Sequence, residues 1–321
     1  MKASPGTLAA LAFLALLIAF PYFGSPFYTE LMAKGMVLAI FAMSLDLLVG
    51  FTGLVSFGHA AYFGVAAYAL ALLAPKYDAA NLWLTFPAAV ALAALAALVV
   101  GVFVLRARGV YFIMVTLAFA QMGYYVFHDT NLGGGSDGVY VNAKPSATIF
   151  GWLPFDLDQP RTMYFFIVVC AAIVYVFLKR LSCSAFGSIL AGIRDNESRM
   201  LAIGYPTFRY KLAAFTLAGA LAGVAGYLYA ALFGFVTPEY LAWHQSGNVL
   251  LMVILGGLGN VGGAVAGAFG FIAMQEVFSS WTKHWQLIMG GVIVGAVLFM
   301  PGGLATVPGR VARAWRGKPH E

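Results

Sequence analysis

The chain has 321 residues, of which 62% are hydrophobic and 9% charged, with a mean hydropathy of +0.88. A soluble domain runs at about 45–50% apolar and about 25% charged, so a water-soluble enzyme is excluded, and most of the chain must be solvated by lipid or by its own helices. The net charge of +6 does not indicate nucleic acid, because the basic residues gather between apolar runs and at the C-terminus, the pattern of cytoplasmic loops beside anionic lipid. The expected fold is all-α: a polytopic membrane helical bundle.

A membrane helix needs roughly 20 apolar residues, since about 30 Å of hydrocarbon is crossed at about 1.5 Å per residue. Thr7 to Phe23 is the first such run. With Lys2 before it, it resembles a signal peptide, but Pro21 and aromatic residues stand where a small-residue cleavage site would be, so it reads as a retained span. Leu31 to Leu48 follows. Gly53 to Ala74 is long enough to cross but carries a Gly-rich opening, GFTGLVSFGHAAYFG (50–64), and is either a full span or re-entrant. Leu82 to Leu105, Val110 to Phe127 and Thr162 to Leu178 are clear spans. The loop 128–161 contains GGGSDG (133–138), GWLPFD and Pro160, so turn chemistry dominates and any structure there is short.

The loop 179–211 differs in kind. Ile189, Leu190 and Ile193, then Met200, Leu201 and Ile203, alternate with charge, and Gly204 followed by Pro206 is a helix stop. Two short amphipathic helices at the cytoplasmic surface are predicted. Leu212 to Phe235 and Trp285 to Met300 are further spans. Between them, Gly247 to Val277 is too long for one helix and breaks at GGLGNVGG (256–263), predicting two short segments. The total is about 8–10 transmembrane or re-entrant segments in one transmembrane domain, 1–309, with a basic tail at 310–321.

With loop 179–211 on the cytoplasmic side, thirteen lysines and arginines fall inside and five outside. The positive-inside rule then puts both termini in the cytoplasm. An even number of segments agrees with this, because an unbroken helix over 247–277 would leave the Arg-rich tail outside.

No phosphate-cradling GxxxxGK[ST] occurs, so the chain does not itself hydrolyse ATP. Neither a nucleophile elbow, an HExxH helix nor a metal-spaced His/Cys/Asp cluster is present, and an enzyme has no visible catalytic group. Cys170 and Cys183 form no framework and read as packing residues. Polar residues at membrane depth are what remain. Asp46, near the inner end of its span, is either a pathway residue or a structural one, hydrated at the interface or bonded to free backbone amides of the Gly50–Gly53 break. His59, with Ser56 and Gly58 in the Gly-rich opening, either lines the pathway or packs. Gln275 and Glu276, near an outer helix end where snorkelling is cheap, are given no role. The small-residue stretches 219–226 and 262–270 predict close helix packing, and GGGSDG is read as a turn rather than an anion site.

Several separated motifs, GFTGLVSFGHAAYFGVAAY (50–68), GVYFIMVTLAFAQ (109–121), LGGGSDG, the run 184–226, VLLMVILGGLGNVGGAVAGAF (249–269) and FMPGGL (299–304), occur in order. On them the chain resembles the permease subunits of branched-chain amino acid ABC importers, in particular the LivM-like member of the LivH/LivM pairs. The resemblance implies a subunit of the bacterial inner membrane that translocates branched-chain amino acids and pairs with a LivH-like second permease. It also implies two cytoplasmic ATPase subunits that hydrolyse the ATP, a periplasmic substrate-binding protein, and no cofactor on this chain. It further implies that the run 186–204 docks on an ATPase, through Arg194, Asp195, Asn196, Glu197, Arg199 and Gly204; Ser198 and Met200 depart from many relatives. The same architecture serves urea, short amides or aromatic acids. A different class, an ion-coupled secondary carrier, would use Asp46.

Overall fold

A computed structural model describes residues 5–75, 78–148, 154–300 and 302–304. The basic tail expected at 310–321 lies outside them. Regular structure is almost entirely helical: α1 (Pro5–Phe23), α2 (Pro26–Thr52), α3 (His59–Leu73), α4 (Leu82–Val104), α5 (Val110–His128), α6 (Pro160–Ser182), α7 (Ala185–Ala202), α8 (Thr207–Phe233), α9 (Trp243–Gly256), α10 (Val261–Trp281) and α11 (Trp285–Phe299). Six of these, α2, α4, α5, α6, α8 and α10, are long and apolar enough to cross a membrane. The molecule is an all-α polytopic bundle.

Helix ends are written locally. Pro26 opens α2 at a position whose N–H has no helical acceptor, and Gly53, at φ 73°, closes it in the left-handed conformation that a Cβ disfavours. The Asn81 side chain accepts the Trp83 N–H at 2.9 Å to start α4, and Asn260 accepts the Gly262 and Gly263 N–H groups at 3.1 and 3.3 Å to start α10. Between α5 and α6, two 3₁₀ turns and a two-residue strand, β1 (Val139–Tyr140), hold the loop. β1 pairs antiparallel with β2 (Phe235–Val236), with Val139 opposite Val236. The short structure predicted there is what forms.

α8 sits at the centre, packed on α2, α3 and α4, while α2 also meets α6, α9 and α10. Lipid and helix are equally apolar, so small faces rather than hydrophobic drive bring helices together. The predicted stretch 219–226 does this. A Cβ on Gly219 would lie 2.3 Å from Ala97, one on Gly223 2.5 Å from Ala93, and one on Gly226 1.9 Å from the Phe63 carbonyl oxygen.

The region 53–74, open between a full span and a re-entrant segment, has irregular residues at 53–58 and a helix, α3, of only 15 residues, about 22 Å. One expectation needs correction. The 247–277 region does break inside GGLGNVGG, yet only one product is short. α9 has 14 residues and α10 has 21, since each helix continues outward beyond the predicted limits, to Trp243 and Trp281.

Gly226→Ala is expected to lower the thermal-unfolding midpoint in detergent, with an overpacking cost of about 1–3 kcal/mol. Gly290→Ala, where a Cβ meets nothing within 4 Å, is expected not to lower it.

Candidate functional site

Asp46 is fully buried on α2. Its Oδ1 accepts the backbone N–H of Gly259 at 2.8 Å, across 213 residues of sequence, while Oδ2 has no partner among the described residues. One turn on, Gly50 leaves the gap that this contact needs: a Cβ there would sit 2.3 Å from both Asp46 Oδ1 and the Gly259 nitrogen. The sequence suggested amides of the 50–53 break as partners of Asp46. The helix instead runs unbroken to Thr52, so those amides are already committed, and the free donor comes from the turn between α9 and α10.

Arg194, on α7, donates from Nη1 to the Gly50 carbonyl at 2.6 Å, and from Nε and Nη2 to Asp195 Oδ1 at 3.2 Å each. Its stem covers Gly53. Asp46, Gly50, Gly259 and Arg194 therefore form one node joining α7, the end of α2 and the α9–α10 turn. α7 is itself two short helices, as predicted. Asn196 is extended, at φ −160° and ψ 95°, and its side chain accepts the Arg199 N–H at 2.9 Å to restart the helix. Gly204, at φ 96°, ends the segment.

Glu197 faces inward. Its Oε1 accepts from Lys211 Nζ at 2.6 Å and from the Thr207 hydroxyl at 3.0 Å, which ties the second half of α7 to the first turns of α8. Burial alone would raise the Glu197 pKa. The hydrogen bond and charge of Lys211, the Thr207 hydroxyl and the charge of Arg108 outweigh it, and the carboxyl sits below its ordinary value of 4.5. Of the six residues expected to dock, Arg194 and Glu197 thus bond to the bundle, Asp195, Asn196 and Arg199 are exposed, and Gly204 is the stop.

His59, Ser56 and Gly58 are brought together at the start of α3. Ser44 Oγ donates to the Phe41 carbonyl at 2.7 Å and lies 2.8 Å from His59 Nε2. This contact links α2 to the first residue of α3. His59 Nδ1 is left without a partner among the described residues. Ser56 Oγ accepts the Gly58 N–H at 3.2 Å, Ser246 Oγ on α9 accepts the Ala60 N–H at 2.8 Å, and Thr116 Oγ1 on α5 accepts the Phe57 N–H at 3.3 Å. Side chains from other helices thus satisfy irregular backbone inside the bundle, as the membrane interior requires. Asp46 and His59 share no hydrogen bond.

Nearer the opposite end of α2, a cavity of about 110 Å³ opens between α2, α3, α8, α9 and α10, with Lys34, Gln245, Asn248 and Gln275 among its lining residues. Sequence reasoning missed it: Lys34 entered only as a charge, and Gln275 only as a snorkelling residue. The i, i+3 spacing of Gln245 and Asn248 on one face of α9 was the one available signal.

Fold and site define a polytopic α-helical membrane protein whose polar residues join helix ends and line a cavity. Residues 27–300 match the family described as branched-chain amino acid transport system, permease component. The chain is 29% identical over 314 residues to the high-affinity branched-chain amino acid transport system permease protein LivM of Escherichia coli strain K12, which covers 91% of this chain and 73% of that one. To LivM of Salmonella typhimurium strain LT2 it is 30% identical over 315 residues, 92% of this chain and 73% of that one. A probable branched-chain amino acid transport permease protein LivM of Methanocaldococcus jannaschii is 22% identical over 171 residues, 51% of this chain and 46% of that one. No solved structure matches the chain. The chain belongs to the family of branched-chain amino acid ABC transporter permeases.

A carboxyl with a depressed folded pKa contributes stability above its unfolded pKa and loses it as pH falls through the folded value. Glu197→Gln is therefore expected to weaken the α7–α8 contact by about 1–3 kcal/mol at pH 7, read as faster hydrogen exchange in α7. The gap from the unsubstituted protein is expected to close as pH falls below the ordinary 4.5 and through the lower folded value.

Proposed function

We propose that this chain is a permease subunit of an ATP-driven importer of branched-chain amino acids in the bacterial inner membrane, with both termini cytoplasmic. It pairs with a second, LivH-like permease and two cytoplasmic ATPase subunits, and receives solute from a periplasmic binding protein. The chain itself holds no cofactor; its partners hydrolyse ATP. The single observation that carries the reading is the bond from Arg194 to the Gly50 carbonyl, because it makes a charged surface helix continuous with the membrane-embedded elements.

The division of labour on α7 follows from where its side chains point. Asp195 and Arg199 are exposed and available to an ATPase surface. Arg194 and Glu197 hold the helix to α2 and α8. ATP-driven closure of the ATPases displaces α7, and the rigid end of α2 moves with it, because a charge-assisted guanidinium–carbonyl bond is stronger than a neutral one. The α9–α10 turn follows through Asp46. Alternating access then needs only rigid-body movement of packed helices. With Oδ1 committed to the Gly259 N–H, Asp46 works as a clamp in this scheme and not as the ion carrier of a secondary transporter.

Affinity purification and radiolabelled leucine uptake separate the two roles. Arg199→Glu together with Asp195→Lys is expected to reduce recovery of the ATPase subunits at least fivefold. Arg194→Ala is expected to keep the ATPases bound and to lower uptake about tenfold, as one charge-assisted hydrogen bond of about 1.5–3 kcal/mol permits. Unchanged uptake and unchanged ATPase recovery in both would refute the docking role.

A further inference from the structure

The cavity between α2, α3, α8, α9 and α10 has an unusual balance of chemistry. Four polar side chains reach it: the Lys34 ammonium and the amides of Gln245, Asn248 and Gln275. All four residues are half-buried. Among the described residues none of these side chains makes a hydrogen bond or an ion pair, and no acidic side chain lines the cavity. Uncommitted polar groups at membrane depth are retained where they face water or a solute. An ammonium offers only donors, so it selects an anionic oxygen, whereas the three amides offer donors and acceptors alike.

The other wall is apolar and largely aromatic. Phe41 stacks on Phe63 at 4.7 Å, and Phe63 meets Tyr229 and Tyr240 edge-on at 5.5 and 6.0 Å. Leu38 and Met252 complete that side. One water needs about 10–15 Å³ of cavity space, so the volume of about 110 Å³ admits several waters and suits a small solute rather than a peptide. Behind Phe41 the ring of His59 stacks at 5.6 Å, so the aromatic pair separates the cavity from the start of α3. Lys34 stands sixteen residues before Gly50, about 24 Å along the helix.

We infer that this cavity is an entry site for an apolar α-amino acid within this one permease, with the solute carboxylate at Lys34 and its side chain against Phe41 and Phe63. The amides of Gln245, Asn248 and Gln275 accept from the solute ammonium, to which the faces of Tyr229 and Tyr240 add attraction. The Phe41–Phe63 stack is the closed gate below the site. A cationic solute is repelled at Lys34, and a neutral amide leaves that ammonium unpaired. This assignment rests on the importer reading above.

The test uses the assembled complex in proteoliposomes, with radiolabelled leucine supplied by its binding protein. Lys34→Met is expected to cut uptake at least tenfold while the complex is recovered intact, and Lys34→Arg to hold it within about threefold. Independently, Asn248→Cys in a chain with Cys170 and Cys183 replaced by serine is expected to react with a membrane-impermeant thiol reagent added from the face opposite α7. Leucine-loaded binding protein is expected to slow that reaction at least fivefold. Absent leucine uptake by the unsubstituted complex would overturn the importer reading. Normal uptake that Lys34→Met leaves within twofold, or an introduced thiol that does not react from that face or is not protected by leucine, would overturn the entry site alone.

Discussion

A carboxylate buried among helices must find a donor, and the donor Asp46 finds fixes three chain segments at once. Its bond to the Gly259 N–H requires that the α9–α10 turn lie against α2, and that approach requires the absence of a side chain at Gly50. The Gly50 carbonyl accepts from Arg194 at the same place. The polar node is therefore also a packing constraint. In hydrocarbon the alternative to this arrangement is an unpaired charge and an unpaired amide, each costing several kcal/mol, so the local geometry is held far more tightly than its two hydrogen bonds would suggest in water.

The same rule explains the start of α3. Residues 53–58 are irregular, and irregular backbone survives in a membrane protein only where side chains from neighbouring helices replace the missing helical bonds. Thr116 and Ser246 do so here, from helices far away in sequence. His59 and Ser44 share a hydrogen bond that joins α3 to α2 through side chains rather than the backbone. Ser56, Gly58 and His59 thus stand where irregular backbone is satisfied and packed closely. Polar side chains without a partner among the described residues also line the cavity at Lys34.

What the sequence made legible is what local chemistry controls. Most of the spans, the break within GGLGNVGG, the two-part surface helix and its stop at Gly204 follow from runs, caps and glycines within a few residues of each feature. What it did not reveal depends on contacts between distant segments. Nothing near Asp46 indicates that its partner is 213 residues away, and nothing near Arg194 distinguishes a side chain turned to the bundle from the exposed Asp195 beside it. The cavity is harder still: Lys34 comes from α2, Gln245 and Asn248 from α9 and Gln275 from α10, so no window of sequence contains it. The region 53–74 stayed open between two readings for a related reason, because an apolar run of sufficient length is compatible with a span whether or not tertiary contacts unwind its first turns.

α2 is the element that both ends of the argument share. It carries Lys34 and Phe41 on the cavity side, Ser44 at the contact with α3, and Asp46 and Gly50 at the node with α7. Spatial continuity is not by itself coupling, and a flexible connector between the two sites would dissipate any movement. α2 is instead one uninterrupted helix of 27 residues, without internal proline and buried along most of its length, and close-packed interiors transmit displacement rather than absorb it. In the proposed scheme, movement of α7 reaches the Phe41–Phe63 stack by translation or rotation of a single rigid rod. Because Phe63 and His59 belong to α3, whose backbone is anchored separately to α9 through Ser246, a shift of α2 relative to α3 falls on the Phe41–Phe63 ring contact and on the single Ser44–His59 hydrogen bond.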